Sequence, residues 1–335
     1  MAMSVEEFIA EWHSDSAFVH VQTSGSTGAP KPMLVEKRRM LASARITCDF
    51  LGLQPGDTAL LCMSLDYIAG KMMVVRALER RLRLISVPPS GHPLADVQDE
   101  IDFAAMVPMQ VWNTLQVPEE RARLQRIRHL IIGGGAVDDA LAQALASFPN
   151  AIWSTYGMTE TLSHIALRRL NGPDASEWYT PFPSVSVSLS DEGCLVINAP
   201  EVSAVTLVTN DIAELSSSGS GVSATDNASQ QFRILGRKDN VICSGGIKIQ
   251  AEEVERRLRP CLPVLFLVTK RPDPKFGEAV VLLTEGSVDE ARLVCQRVLP
   301  KYYQPRAYLH VARIPLTETG KPARKQAERL ASQSG

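Results

Sequence analysis

The sequence predicts an α/β protein. A large N-terminal α/β domain of layered sheets and helices, carrying an added β subdomain, precedes a small α+β domain. Three observations predict it. The chain has 335 residues, which suits about two domains at roughly 100–200 residues each. Over the first two-thirds, short apolar runs alternate with segments of helical period, the signature of parallel strands joined by crossovers. After Gly236 the pattern changes to short strands between amphipathic helices.

Residues 17–22 form a short apolar run ending in a Ser/Thr/Gly loop, and 36–51 carry Met40, Leu41, Ala44, Ile46 and Leu51 at helical spacing. Residues 58–63 read as a buried strand, 67–78 as a helix and 82–87 as a strand. Residues 96–105 have mixed helical character. The run 128–132 leads into Gly133, Gly134 and Gly135, and a helix over 138–147 takes Asp138 as its cap. Residues 151–155 are another strand. In the middle, 185–189 and 194–198 flank Asp191-Glu192-Gly193, a hairpin signal. Strands follow at 206–208 and 232–235 around 216–229, whose Ser, Gly, Ala and Asn content reads as an exposed loop. Beyond come a charged helix over 252–259, strands at 264–269 and 280–284, a helix over 289–298, a strand at 308–311 and a polar, basic tail. The boundary falls near Lys238-Asp239, giving domains 1–238 and 239–335.

Composition narrows the function. The chain is 45% apolar and 21% charged with a net charge of -2, so it is ordered and lacks the basic excess of a charge-driven nucleic-acid binder. No apolar stretch reaches a membrane span of roughly 18–20 residues, and the N-terminal residues lack a secretory pattern. The six cysteines are scattered without a CxxC pair, which suits reduced thiols. A cytoplasmic enzyme or small-molecule binder is expected.

Thr23-Ser24-Gly25-Ser26-Thr27-Gly28-Ala29-Pro30-Lys31 follows a predicted strand. Its hydroxyls, glycine backbone and lysine suit phosphate oxygens, although the spacing is not that of a Walker A loop. Gly133-Gly134-Gly135-Ala136, between strand and helix, lets a flat group lie against the backbone.

Further motifs follow in order: Thr155-Tyr156-Gly157-Met158-Thr159-Glu160, Thr209-Asn210-Asp211, Gly236-Arg237-Lys238-Asp239-Asn240, Ser244-Gly245-Gly246 with Glu252-Glu253-Val254-Glu255, and Thr319-Gly320-Lys321. In this series, from Thr23 to Lys321, the chain resembles the adenylate-forming superfamily of acyl-CoA synthetases, luciferases and peptide-synthetase adenylation domains. The resemblance implies ATP, Mg²⁺ and coenzyme A as cofactors. It implies that Thr23, Ser24, Gly25, Ser26, Thr27, Gly28 and Lys31 hold phosphates, and that Gly133, Gly134, Gly135, Ala136, Thr155, Tyr156 and Gly157 line the nucleotide site. Thr159 would bond a phosphate, and Glu160 would hold Mg²⁺ through a hard oxygen. Asp211 would accept the ribose hydroxyls, and Arg237 would reach the ribose or a phosphate. Lys321 would meet the α-phosphate and the carboxylate, Asp239 would be the hinge, and Ser244, Gly245 and Gly246 would serve the coenzyme A step.

Two departures stand out. The phosphate loop starts at Thr23, where family members carry a long preceding region, so the resemblance implies a truncated N-terminal lobe. Tyr67 stands where the family often has histidine. The Tyr-Gly-Met-Thr-Glu-Thr and Ser-Gly-Gly segments, with Gln304-Pro305-Arg306, resemble the o-succinylbenzoate–CoA ligase branch of menaquinone biosynthesis. Its substrate is a dianion, and Tyr67, Lys71, Ser163 and His164 are the residues considered for contact with it. Another aryl- or acyl-CoA ligase, an adenylation enzyme that loads a carrier protein, and a non-catalytic nucleotide-binding relative are the alternatives. A homodimer is one assembly the resemblance allows.

Overall fold

The computed structural model describes residues 3–22, 32–216, 230–317 and 321–333. In chain order the elements begin α1 (Val5–His13), β1 (Phe18–Gln22), β2 (Pro32–Glu36), α2 (Lys37–Leu51), β3 (Thr58–Leu61), α3 (Ile68–Arg80), β4 (Arg83–Ser86), β5 (Phe103–Met106), α4 (Pro108–Gln116), α5 (Pro118–Leu124), β6 (His129–Ile132), α6 (Asp139–Leu145) and β7 (Ala151–Gly157). They continue with β8 (His164–Arg169), β9 (Thr180–Pro181), β10 (Ser186–Leu189), β11 (Cys194–Asn198), β12 (Leu207–Leu215), β13 (Phe232–Arg237), β14 (Val241–Ser244), β15 (Ile247–Gln250), α7 (Ala251–Leu258), β16 (Phe266–Asp273), β17 (Gly277–Thr284), α8 (Val288–Val298), β18 (Ala307–His310) and α9 (Arg324–Gln333). Among the described residues no helix is long and apolar enough to cross a membrane.

The chain divides into two compact units. One holds Met1–Ser188, Val196–Leu207 and Leu215–Arg233; the other holds Leu189–Leu195, Val208–Glu214 and Ile234–Gly335. A four-stranded sheet is ordered β10-β11-β12-β13.

The first unit is built on a seven-stranded sheet ordered β4-β3-β5-β6-β7-β8-β9. The strands from β4 to β7 run parallel, as the alternating pattern predicts, and β8 returns antiparallel to β7. Leu60, Ala104, Leu130, Ile132 and Ile152 from the strands bury against Val111, Leu124, Leu141 and Leu145 from α4, α5 and α6. Each fully buried large apolar side chain is worth roughly 1.5–3 kcal/mol. The helix over 96–105 is not found: β5 occupies the end of that stretch as a fully buried central strand. Its short Phe-Ala-Ala-Met run has no period that separates strand from buried helix. Three helices had readable signals in the sequence. A capping box opens α1, in which the Glu7 backbone N–H donates to Ser4 Oγ at 3.1 Å and the Ser4 N–H to Glu7 Oε2 at 2.7 Å. Prolines open α4 and α5.

In the second unit, β14–β17 form one sheet with β18 parallel to β17. Strand β17 is buried on both faces. Val280 and Leu282 meet α7 and α8 residues such as Val254, Leu258 and Ala291, while Val281 and Leu283 meet Ala327 and Ala331 of α9. The tail expected after the last strand is therefore a packed helix.

Candidate active site

Parallel β-sheets place binding loops at the carboxyl ends of their strands. Here those of β5, β6 and β7 converge. A Cβ on Gly133 would lie 2.4 Å from Thr155 Oγ1, and one on Gly134 would lie 3.3 Å from Val107 Cγ1. Gly134 also has φ +77°, a left-handed conformation that favours glycine. The next residues, Gly135 and Ala136, are exposed. At the end of β7, a Cβ on Gly157 would sit 2.3 Å from the Ser163 carbonyl oxygen, so no side chain fits. The ladder shifts register between Tyr156 and Gly157. This irregularity turns the chain into a single 3₁₀ turn, Thr159–Thr161, with Thr159 half-buried and the Glu160 carboxylate exposed. Thr161, fully buried, fixes that turn. Its hydroxyl accepts from the Met158 N–H at 3.0 Å and donates to the Ser163 carbonyl at 2.7 Å. Tyr156 packs edge-on against Phe232, with ring centroids 5.1 Å apart.

Behind this edge lies a buried polar chain. Thr47 Oγ1 donates to the Ser43 carbonyl at 3.1 Å, so it accepts from His164 Nε2 at 3.1 Å. His164 Nδ1 then accepts from the Ser163 hydroxyl at 3.2 Å, and Ser163 Oγ accepts from Arg76 Nη2 at 2.5 Å. This assignment of the histidine tautomer follows from the hydrogen-bond directions. Burial first, and then Arg76, hold His164 well below its ordinary value, so it is neutral. Arg76 is 2% exposed, its Nε lacks a partner, and burial pushes it down to about 10. Among the described residues no carboxylate pairs with it. A cation left in this state is costly unless an anion reaches it.

The other residues considered for the substrate lie differently. Lys71 Nζ donates to the His20 carbonyl at 2.7 Å, sits 3.6 Å from Glu11 Oε2 and lies over the Phe8 ring. Its charge is engaged in packing among α1, β1 and α3. Half-buried Tyr67 precedes α3 as its N-cap residue.

The second unit brings three predicted residues together. Arg237 Nη1 donates to Asp211 Oδ1 at 3.0 Å, while Nη2 reaches Asp239 Oδ2 at 3.3 Å. Asp239 also accepts from Asn210 Nδ2 at 3.3 Å, and the Asp211 N–H donates to Thr209 Oγ1 at 3.0 Å. Lys321 feels the charges of this group. Burial first, then Arg237, push its ammonium below the usual lysine range, and Asp211 partly restores it. Ser244-Gly245-Gly246 forms a two-residue hairpin between β14 and β15, with Ser244 paired to Ile247. Gly245 and Gly246 have φ +59° and +82°, so the turn itself favours both glycines. Thr23 through Lys31, including all the predicted phosphate-loop residues, and Thr319-Gly320 lie outside the described residues.

Reading the sequence for motifs missed Arg76 and Thr47, and took Thr161 only as the end of the Tyr-Gly-Met-Thr-Glu-Thr segment. Arg76 had a signal: it is the one charge within the apolar run Met72-Met73-Val74-Val75-Arg76-Ala77-Leu78.

The first unit carries loops at the carboxyl edge of a parallel sheet, the place where α/β enzymes bind ligands, and the second unit carries a charged cluster around Asp211 and Arg237. The model of the AMP-binding enzyme family matches residues 5–208, and the chain belongs to that family. Among curated relatives, the 2-succinylbenzoate–CoA ligase of Salmonella typhimurium is 26% identical over 324 residues, covering 91% of this chain and 67% of that protein. Among solved structures, an acyl-CoA synthetase (AMP-forming)/AMP-acid ligase II-like protein from Dyadobacter fermentans is 32% identical with a TM-score of 0.63, covering 97% of this chain and 92% of that one. The o-succinylbenzoate CoA synthetase of Bacillus subtilis, in complex with the acyl-adenylate intermediate OSB-AMP, shares the fold with a TM-score of 0.74 at 22% identity, over 92% of this chain and 68% of that one.

Proposed function

We propose that this chain is an AMP-forming acid–CoA ligase acting in the cytoplasm, with o-succinylbenzoate as its acid. A substrate carboxylate oxygen attacks the α-phosphorus of ATP and pyrophosphate leaves, giving an acyl-adenylate. The coenzyme A thiol, losing its proton, then attacks the acyl carbon and AMP leaves. The observation that carries this reading is the Arg237 guanidinium bound to Asp211 at 3.0 Å and to Asp239 at 3.3 Å, with the Lys321 ammonium feeling the charges of Arg237 and Asp211. That grouping joins a carboxylate suited to ribose hydroxyls with cations suited to phosphate charge. In this reading Thr159 bonds a phosphate, and Gly133 to Ala136 with Thr155, Tyr156 and Gly157 line the nucleotide site. Glu160 would hold Mg²⁺ together with the triphosphate oxygens, a sparse ligand set that suits this ion; when bound, it neutralises phosphate charge. Asp239 is the hinge between domains 1–238 and 239–335, and Ser244 to Gly246 serve the thioester step. The Arg76 guanidinium, backed by Ser163 and His164, supports an acid with a second carboxylate.

ATP–pyrophosphate exchange over a panel of mono- and dicarboxylic acids, followed by coenzyme A or a phosphopantetheine carrier, tests the reading. Exchange restricted to o-succinylbenzoate and near analogues, with thioester formed on coenzyme A, is expected. Exchange with simple monocarboxylates alone, or transfer only to a carrier, would replace the assigned acid or acceptor.

Two further results are expected. Asp211→Asn removes a charge-assisted contact to the ribose and its link to Arg237, so ATP binding should weaken by about 1.5–3 kcal/mol. Unchanged ATP affinity by calorimetry would remove Asp211 from the site. The Lys321 cation is present below its own pKa and lost as pH rises through it. Because that pKa lies below the ordinary lysine value of about 10.4, exchange should decline on the alkaline side sooner than an exposed lysine would allow. Lys321→Arg should move the decline to higher pH, and coincident profiles for the two enzymes would exclude Lys321 as the titrating group.

A further inference from the structure

Two carboxylates of α7 are not used by the chemistry above, yet they bind Arg324, close after Lys321 in the chain, and reach the Arg237 carbonyl through Gln250. Arg324, the first residue of α9, lies three positions after Lys321. Its Nη1 donates to Glu255 Oε1 at 2.8 Å and to the Val268 carbonyl at 2.7 Å, and its Nη2 donates to Glu255 Oε2 at 2.8 Å. Glu255 is 5% exposed and also accepts the Val268 N–H at 2.8 Å. One turn earlier, Glu252 Oε1 lies 3.8 Å from Arg324 Nη2 and accepts from Asn240 Nδ2. Glu252 Oε2 accepts from Gln250 Nε2 at 2.5 Å, and that amide nitrogen also donates to the Arg237 carbonyl at 2.9 Å. Gln250 lies so close across Gly236 that a Cβ there would meet its Nε2 at 2.3 Å. On the other side, the Lys321 N–H donates to Thr317 Oγ1 at 3.1 Å, and the Thr317 N–H donates to the Lys321 carbonyl at 2.7 Å.

We propose that Glu252 and Glu255, acting through Arg324, are positioning residues that set the Lys321 ammonium against Arg237 and Asp211. The proposal rests on the ligase reading. The planar guanidinium bound at both ends of the Glu255 carboxylate fixes direction as well as distance, which a lysine cannot do. The rest of α9 is held independently, because Ala327 and Ala331 bury against Leu267, Val281, Leu283 and Ile314. Loss of the arginine pair therefore frees the first turn of α9 and the lysine before it while leaving the helix docked. A displacement of about 1 Å in a reacting group can cost on the order of a hundredfold in rate.

The test uses the full chain with Arg324→Lys and, separately, Glu252→Gln, which removes only the more exposed limb. Three quantities are read: ATP–pyrophosphate exchange, thioester formation from pre-made acyl-adenylate and coenzyme A, and the titration of Lys321 in ¹³C-lysine-labelled protein, assigned with Lys321→Arg. Arg324→Lys should lower the exchange rate by roughly ten- to a hundredfold with little change in KM for ATP. Thioester formation should stay near wild type, and the Lys321 titration should move up toward the ordinary range. Glu252→Gln should change exchange and titration in the same direction by less, and it serves alone should Arg324→Lys fail to fold. Equal losses in both half-reactions, or exchange and titration unmoved in a folded variant, overturn the proposal. If the wild-type chain shows no exchange with any acid, the ligase reading itself fails. The titration then decides alone whether this pair sets the lysine, and an unmoved titration overturns that too.

Discussion

Lys321→Ala should lower adenylation by roughly a hundred- to a thousandfold while leaving thioester formation from pre-made acyl-adenylate near the wild-type rate. The lysine sits within the charge field of Arg237 and Asp211, where it can neutralise charge that grows on the α-phosphate only as the carboxylate attacks. An interaction realised in the transition state affects turnover more than substrate affinity. Removing one such preorganised contact typically costs about 2.7–4 kcal/mol of barrier. The thioester step involves attack of a thiol on an acyl carbon, and in the proposed two-pose cycle the hinge at Asp239 has by then carried Lys321 away. Stopped-flow measurement of pyrophosphate release, beside thioester formation from synthetic acyl-adenylate, separates the two. Equal losses in both assays would mean that Lys321 is structural or that one pose serves both steps.

Arg76→Met should make the unliganded protein more stable and a poorer binder of its acid. The wild-type guanidinium is buried with Ser163 Oγ and Met73 Sδ as its hydrogen-bond acceptors and an unpartnered Nε. Replacing buried charge with apolar groups of similar volume is often stabilising by about 1–4 kcal/mol. Methionine fits the neighbourhood of Met72 and Met73, both fully buried. The lost contact with a carboxylate should cost about 1.5–3 kcal/mol of binding, or roughly ten- to a hundredfold in the KM for the acid. Denaturant titrations with and without o-succinylbenzoate read both effects. At a given concentration a dicarboxylate should raise the wild-type midpoint more than that of Arg76→Met, because ligand binding to the native state adds stability that grows with its affinity. A destabilised variant with an unchanged KM would make Arg76 a structural cation. The trade is one expected of binding sites, where a locally unfavourable charge is kept for what it recognises.

Much of the fold was legible because local signals agreed with the tertiary outcome. The helix of residues 36–51 shows its apolar spacing directly, Asp138 caps α6 by accepting the Leu141 N–H at 2.9 Å, and the 191–193 turn carries Gly193 at φ +76°. Where local signal was weak, the reading failed. The four residues of β5 are a strand because β3 and β6 flank them on either side, not because Phe-Ala-Ala-Met favours one. The helix α9 carries few apolar residues and reads as a tail. It becomes a helix by fitting the small faces of Ala327 and Ala331 onto β16 and β17.

The site divides along the same line. Thr159, Glu160, Asp211, Arg237 and Lys321 came from the resemblance carried by the ordered motifs; by residue type alone Glu160 and Lys321 read as ordinary surface groups. Sequence could not say which lysine or arginine was free to act. Lys71 and Arg76 stand five residues apart on one helix, at the edge and in the middle of one apolar run, and the sequence reading considered only Lys71. Folding brings Glu11 and the His20 carbonyl to Lys71 and brings no carboxylate among the described residues to Arg76. Whether a buried charge is spent or available depends on partners distant in sequence, and the cost of burial is set by the surroundings that only the packed structure supplies.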